Sequence, residues 1–183
     1  MIKSLSWILA GSIAVSGCSG PIQTRVQTHQ VIASPAEKQF TISSLHAVAN
    51  QDLALARDVV AKSLSAKGYQ LTPNASILVH VGLSDRLANF SINAGDKTAE
   101  ETIAIAKKAK PLQSCQDREH RLTVNLFDQA RGSKLYSGNA SEYHCKGTIQ
   151  KSLPFLAKSA LSGLDTDVSE APRSATHSRL GTD

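Results

Sequence analysis

Apolar and polar positions alternate along several stretches of this chain and recur at helical spacing along two others. Phe40 and Ile42 alternate with Thr41 and Ser43, which predicts a short first strand. Leu53, Ala56, Val60 and Leu64 then fall on one helical stripe, while Arg57, Asp58 and Lys62 point elsewhere. Asn50 is placed to cap that helix, Asp52 suits its first turn and Gly68 supplies a left-handed stop. Tyr69 to Leu71 predicts a short extended piece, turned by Pro73 and Asn74. Ile77, Val79, Val81 and Leu83 share one face of the strongest strand. Leu122–Phe127 and Leu135–Ala140 predict a hairpin turning around Arg131-Gly132. Ile149, Leu153, Leu156, Ala160 and Leu164 define a closing amphipathic helix, which tolerates Pro154 if it starts near Ser152.

Two helices with one apolar stripe each need a sheet face to bury it. The expected fold is therefore a two-layer α+β domain: a mainly antiparallel sheet of four or five strands with both helices packed on one face. That domain spans 39–164. Residues 18–38 are polar, contain Pro21 and Pro35, and read as a flexible tether, within which Arg25 to Ile32 could add an edge strand. Residues 165–183 lack periodicity and read as a disordered tail. Between the strong strand and the hairpin, Thr98-Ala99-Glu100-Glu101 has the form of a capping box, and Pro111 would end a helix begun there. Its apolar face is thin (Ile103, Ala106), so a long insertion is the other reading. Lys107, Lys108 and Lys110 suit the negative pole of such a helix.

The first residues change the picture from a domain to an address. Lys3 precedes the apolar run Trp7 to Val15, which is too short to span a bilayer, since that takes about 20 residues. Residues 1–17 thus read as a secretory signal. Val15-Ser16-Gly17-Cys18 resembles the lipobox of bacterial lipoproteins. The resemblance implies that Cys18 is acylated, that cleavage falls just before it, and that several acyl chains make a stable anchor. Its partner is then a membrane, reached through the lipid on Cys18. Ser19 rather than Asp follows, which by likeness to enterobacterial lipoproteins implies the periplasmic face of the outer membrane.

Composition adds exclusions. The formal net charge of +5 falls to +4 once Lys3 leaves, with no long run of like charges, which describes a solubilising surface. Aromatic residues make up 4%, too few for a stacking platform, so no nucleic acid partner is expected. Of the three cysteines, Cys115 and Cys145 remain after Cys18 is set aside, an even pair that in an oxidising compartment suggests a disulfide. With Leu122 opposite Ala140 and Phe127 opposite Leu135, Cys115 faces Gly147 and Cys145 faces Asp117. Both cysteines then lie within one residue pair of each other, on the same face. A zinc site from Cys115, His120, His144 and Cys145, or a Cys145 thiol nucleophile beside His144, would use the same atoms. Adjacent strand residues point to opposite faces, which disfavours both.

His120, Glu142 and His144 share the even-numbered face of the hairpin, with His120 opposite Glu142. Such a set could bind a cation or move a proton; the plainer reading is a solvated group at a frayed hairpin end. His80 reads as a hydrogen-bonded structural histidine. The patterns HExxH, GxSxG, GxxxxGK and GxGxxG are missing, and no cofactor is implied.

The helix end "AKGY" (Ala66 to Tyr69), the strand "SILVHV", the strand "KLYSGNAS" and a terminal helix follow one another in the order seen in a family of bacterial envelope lipoproteins of unknown function, which this chain resembles. Tyr136 stands where that family has Trp. The resemblance covers about 39–164 and implies a two-layer α/β domain with no assigned reaction. Two functions follow as expectations. One is a non-catalytic outer-membrane lipoprotein that binds or supports an envelope protein or glycan. The other is a periplasmic hydrolase or metal-dependent enzyme using His120, Glu142 and His144.

Overall fold

A computed structural model describes residues 21–43, 50–94, 101–104, 106–108 and 115–180. In chain order the elements are β1 (Ile22–Gln30), β2 (Gln39–Ile42), α1 (Gln51–Ser65), β3 (Gln70–Leu71), β4 (Ile77–Leu87), β5 (Ile92–Ala94), β6 (Glu101–Ala104), β7 (Arg118–Asp128), β8 (Ser133–His144), α2 (Ile149–Ala160) and β9 (Arg173–Arg179). One mixed sheet runs β3-β2-β4-β7-β8-β1-β9, and β5 and β6 form a separate two-stranded ribbon.

The expected sheet of four or five strands is thus corrected to seven strands, parallel at β3-β2-β4 and antiparallel elsewhere. The two strands that enlarge it most lie in 22–30 and 173–179. β1 is an interior strand between β8 and β9, and its inward positions are Ile22, Thr24, Val26, Thr28 and Gln30. Three of those five are polar, so the alternation that defines the strand is invisible to a hydrophobic pattern. Every residue of β9 up to Ser178 is exposed, so that strand has no apolar face at all.

The hairpin β7–β8 forms the middle of the sheet. Leu122 faces Ala140 and His120 faces Glu142, in the register read from the sequence. A bulge between Leu126 and Phe127 shifts Phe127 onto Lys134 instead of Leu135. As a result Leu135 and Tyr136, consecutive in the chain, are both buried. Cys115 and Cys145 are joined by a disulfide across the open base of this hairpin, with a Cα–Cα distance of 5.6 Å.

Both helices cover one face. Ala56, Val60 and Leu64 of α1 and Leu153, Leu156, Ala157 and Ala160 of α2 share one core with Phe40, Ile77, Val79, Leu122, Val124 and Tyr136. Asn50 caps α1, accepting from the backbone N–H groups of Asp52 and Leu53 at 3.0 and 3.2 Å. Gly68 follows at φ +85°, where a side chain would be strained. α2 starts at Ile149 rather than near Ser152, so Pro154 sits inside it and removes one helical hydrogen bond. The helix is held by packing: Tyr136 donates its hydroxyl to the Ala160 carbonyl at 2.5 Å, and Gly138 lies directly beneath that carbonyl.

The stretch expected as a capped helix instead carries β6 at Glu101–Ala104, paired with β5. Its Thr and Ile residues are β-branched and its apolar stripe is thin, both of which favour an extended chain. Thr98 to Glu100 and Pro111 lie outside the described residues. His80, expected as a hydrogen-bonded structural histidine, is exposed on the open face of the sheet.

Two outcomes check this packing. A Cβ at Gly138 would stand 1.8 Å from the Ala160 carbonyl oxygen, whereas one at Gly82 meets nothing nearer than Thr123 Cβ at 3.7 Å. Gly138→Ala is expected to destabilise the domain by about 1–3 kcal/mol or more in urea unfolding, and Gly82→Ala to leave it nearly unchanged. Replacing both Cys115 and Cys145 by Ser is expected to cost about 3–4 kcal/mol, from a closed loop of sequence separation 30. Equal midpoints with and without reductant would contradict that.

Candidate functional site

Strand register brings His120, Glu142 and His144 together, and the fold then closes them off. β8 points Glu142 and His144 toward the helix layer, and β7 points His120 the same way. None is solvated at a frayed end: exposures are 1% for His120, 0% for Glu142 and 4% for His144. The His120 and His144 rings stack, 4.6 Å between centroids at 19°.

Three residues that the sequence pattern did not mark complete the group. Ser152 sits on the buried stripe of α2, one turn after Ile149 and beside Leu153. Its Oγ is 2.8 Å from His120 Nδ1 and 3.0 Å from His144 Nε2. Thr24 of β1 donates its hydroxyl to Glu142 Oε1 at 2.5 Å. Arg179 of β9 donates through Nη2 to Glu142 Oε2 at 2.8 Å and through Nε to Oε1 at 3.2 Å. His144 Nε2 lies 2.9 Å from Glu142 Oε2. Helical phase was the available signal for Ser152. For Thr24 and Arg179 there was none, since both belong to segments that read as tether and tail.

Glu142 only accepts, so His144 Nε2–H donates to it. Ser152 Oγ–H then serves His120 Nδ1, and His120 Nε2–H points at Asp85 Oδ1, 3.7 Å away. Burial lowers the His120 pKa, the neighbouring His144 lowers it further, and the carboxylates of Asp85 and Glu142 offset only part of this. For Glu142, burial pushes the pKa up, but the hydrogen bonds from His144, Arg179 and Thr24 outweigh it and hold the carboxyl at about 2.

Ser152, His144 and Glu142 superficially form a hydroxyl–imidazole–carboxylate series. A proton relay needs the imidazole to face the hydroxyl with one nitrogen and the carboxylate with the other. Here Nε2 faces both. The arrangement locks β1, β7, β8, β9 and α2 together instead. Nor does it suit a metal: the two rings stack rather than converge, and Arg179 occupies the carboxylate. Among the described residues no group of three His, Cys, Asp or Glu side chains is placed to hold a metal ion. The alternative zinc set with Cys115 and Cys145, and the Cys145 nucleophile, are both superseded by the disulfide. Cys18 lies outside the described residues.

The other face of the sheet is open and polar. Arg25, Ser141 and Arg121 lie side by side on β1, β8 and β7, and a shallow groove of about 460 Å³ runs over them to Ser174 and Thr176 of β9. Arg25 stacks over the Tyr143 ring at 4.9 Å. Glu119, the carboxylate on this face of β7, is held by Arg86 and by Arg121.

No protein-family model matches the chain, and no curated protein matches it. Solved structures are similar to it to differing degrees. A PDZ-domain protein from Parabacteroides distasonis overlaps 85% of this chain and 39% of its own, with 10% identity and a TM-score of 0.50. The PelC dodecamer from Paraburkholderia phytofirmans overlaps 79% of this chain and 99% of its own, at 14% identity and a TM-score of 0.49. A minor lipoprotein from Acinetobacter baumannii overlaps 72% and 88%, at 14% identity and a TM-score of 0.33. The likeness to the PDZ-domain protein is one of fold alone, and the two lower scores carry no argument about what this chain does.

The buried network makes stability depend on acid in a defined direction. The unfolded chain protonates its histidines below about pH 6.5, whereas folded His120 resists the charge, so stability falls as pH drops below that value. Glu142 adds stability that is fully present above its unfolded pKa of 4.5 and is lost as pH falls toward about 2. Urea unfolding from about pH 7 to about pH 3 is expected to show both losses, with Glu142 contributing roughly 2 kcal/mol over that range. Glu142→Gln should be less stable at neutral pH and should flatten the lower limb. An unchanged lower limb in that variant would sink the assignment.

Proposed function

We propose that the protein is a non-catalytic lipoprotein of the cell envelope. Acyl chains on Cys18 hold it to the periplasmic face of the outer membrane, where its domain binds or supports another envelope component, a protein or a glycan. The Cys115–Cys145 disulfide carries this reading, because such bonds persist in oxidising compartments and are rare in the cytosol. The lipobox-like Val15-Ser16-Gly17-Cys18 supports the anchor. Among the described residues no helix is long and apolar enough to cross a membrane, so attachment in this reading comes from the lipid.

Two features support a binding rather than a catalytic role. Ser152, His120, His144 and Glu142, the residue types that do acid–base or nucleophilic work, are buried and bonded to one another. The accessible polar surface is the open sheet face, where Arg25 and Arg121 flank Ser141. Flat surfaces of this kind suit recognition of a large partner.

Intact mass of the protein from cells reports the anchor and both remaining thiols together. The expected mass is that of residues 18–183 plus acyl groups, with Cys115 and Cys145 refractory to alkylation under denaturing conditions. Cys18→Ser is expected to move the protein from the membrane to the soluble fraction. Recovery of an uncleaved, unacylated chain with reactive thiols in the cytosol would refute the reading.

A further inference from the structure

The anchor and the fold are joined by very little chain. Ser19, Gly20 and Pro21 are all that separate Cys18 from Ile22, the first residue of β1. Fully extended, that link reaches at most about 14 Å. β1 is an interior strand, fixed by β8 and β9 on either side. The end of the sheet where β1 begins therefore has to lie against the bilayer if Cys18 sits in it.

The register says which residues that end carries. Ile22 faces Arg179 at the end of β9, and Thr24 faces Glu142 near the end of β8. Leu180, Phe155, Lys151 and Arg179 surround a hollow of about 280 Å³ that Ile22 also lines. Leu180 is 94% exposed and Phe155 44%. Lys146, just past the disulfide, and Lys151, in the first turn of α2, are both exposed. Of the carboxylates described at this end, Asp85 is bonded to Arg118, Asp117 to Lys107, Glu119 to Arg86 and Arg121, and Glu142 to Arg179, while Asp52 accepts from the neutral Gln150 amide and keeps its charge. The exposed cations Lys146 and Lys151 thus outnumber the one uncompensated carboxylate, Asp52, and sit beside apolar side chains.

We infer that this end of the domain is a membrane-docking surface for anionic phospholipid. Lys146 and Lys151 meet headgroup phosphates, and Leu180 and Phe155 enter the interface. The inference rests on the proposed anchor for its orientation, but the surface itself acts without the lipid. It converts a tethered domain into an oriented one, with the opposite end and the open sheet face turned toward the periplasm.

The test uses the mature chain carrying Cys18→Ser, which has no acyl anchor. Its partitioning is measured onto vesicles of phosphatidylcholine alone and with about 30 mol% phosphatidylglycerol. The expected result is binding to the anionic vesicles only, weakened by salt. Lys146→Gln with Lys151→Gln should lower the partition coefficient by about fivefold per cation removed. Leu180→Asp should lower it as well. Lys62→Gln with Lys67→Gln, at the far end of α1, should leave it unchanged.

Equal binding to both vesicle types, no binding to either, or an equal loss from the Lys62 and Lys67 changes would each overturn the inference. So would a dimer, seen by sedimentation without vesicles, that Leu180→Asp breaks, since the surface would then belong to a second copy. The intact mass of the wild-type protein separates the two claims. Vesicle binding by the Cys18→Ser chain beside an unacylated wild type would support the surface and remove the anchor; an acylated wild type whose Cys18→Ser chain ignores anionic vesicles would do the reverse.

Discussion

A buried carboxylate fixes how this sheet is assembled. Glu142 has no exposed surface, and an unpaired charge in that position would cost several kcal/mol. It is met by Thr24 from β1, Arg179 from β9 and His144 from its own strand. Two of those partners come from segments with almost no apolar character. The usual force that seats a strand, burial of one hydrophobic face, is weak in β1 and missing in β9. Backbone pairing and the demand of Glu142 for donors take its place.

This also sets what could be read from the chain and what could not. Elements with an apolar period were legible: α1 with its Asn50 cap and Gly68 stop, β4 from Ile77, the β7–β8 hairpin with Leu122 opposite Ala140. Register arithmetic from that hairpin carried far enough to place Cys115 beside Cys145 and His120 opposite Glu142. It failed at Phe127, because a bulge shifts pairing by one without leaving a mark in the alternation. β1 was read only as an optional edge strand over Arg25 to Ile32, although it is interior, and β9 was not read at all, both for a different reason. Thr24, Thr28 and Gln30 are buried for their hydrogen bonds, and a hydrophobicity pattern scores them as solvent-facing. The site suffered the same fate. Its histidines and glutamate were found, but Arg179, which turns a possible cation site into a closed ion pair, lay in a stretch that looked like a tail.

Packing above the network is equally constrained. The small residues Gly138 and Ala140 let α2 approach β8 closely, so that the Ala160 carbonyl can reach the Tyr136 hydroxyl. That close approach sets the height of Ser152 two turns earlier, whose hydroxyl meets a nitrogen of each imidazole. Pro154 lies between these contacts and weakens the helix locally. Tertiary contacts on both sides of it outweigh the loss, as is usual for helices this short.

The same end of the domain holds the disulfide, the Glu142 network and the start of β1, and this concentration bears on the proposed anchor. Force from a lipid on Cys18 would enter the fold at Ile22 and run along β1. An edge strand pulled in this way can leave by sliding past one neighbour. β1 has two, β8 over Thr24 to Gln30 and β9 over Ile22 to Thr28. The load is shared by two ladders at once, and β9 is needed to make β1 interior. Glu142 is bonded to both strands through Thr24 and Arg179, within two residues of the point of entry. A polar clamp there resists sliding better than an apolar contact would, because hydrogen bonds have a register and hydrophobic surfaces do not. In the proposed anchoring, the buried charge and the polar strands around it lie where the load would enter.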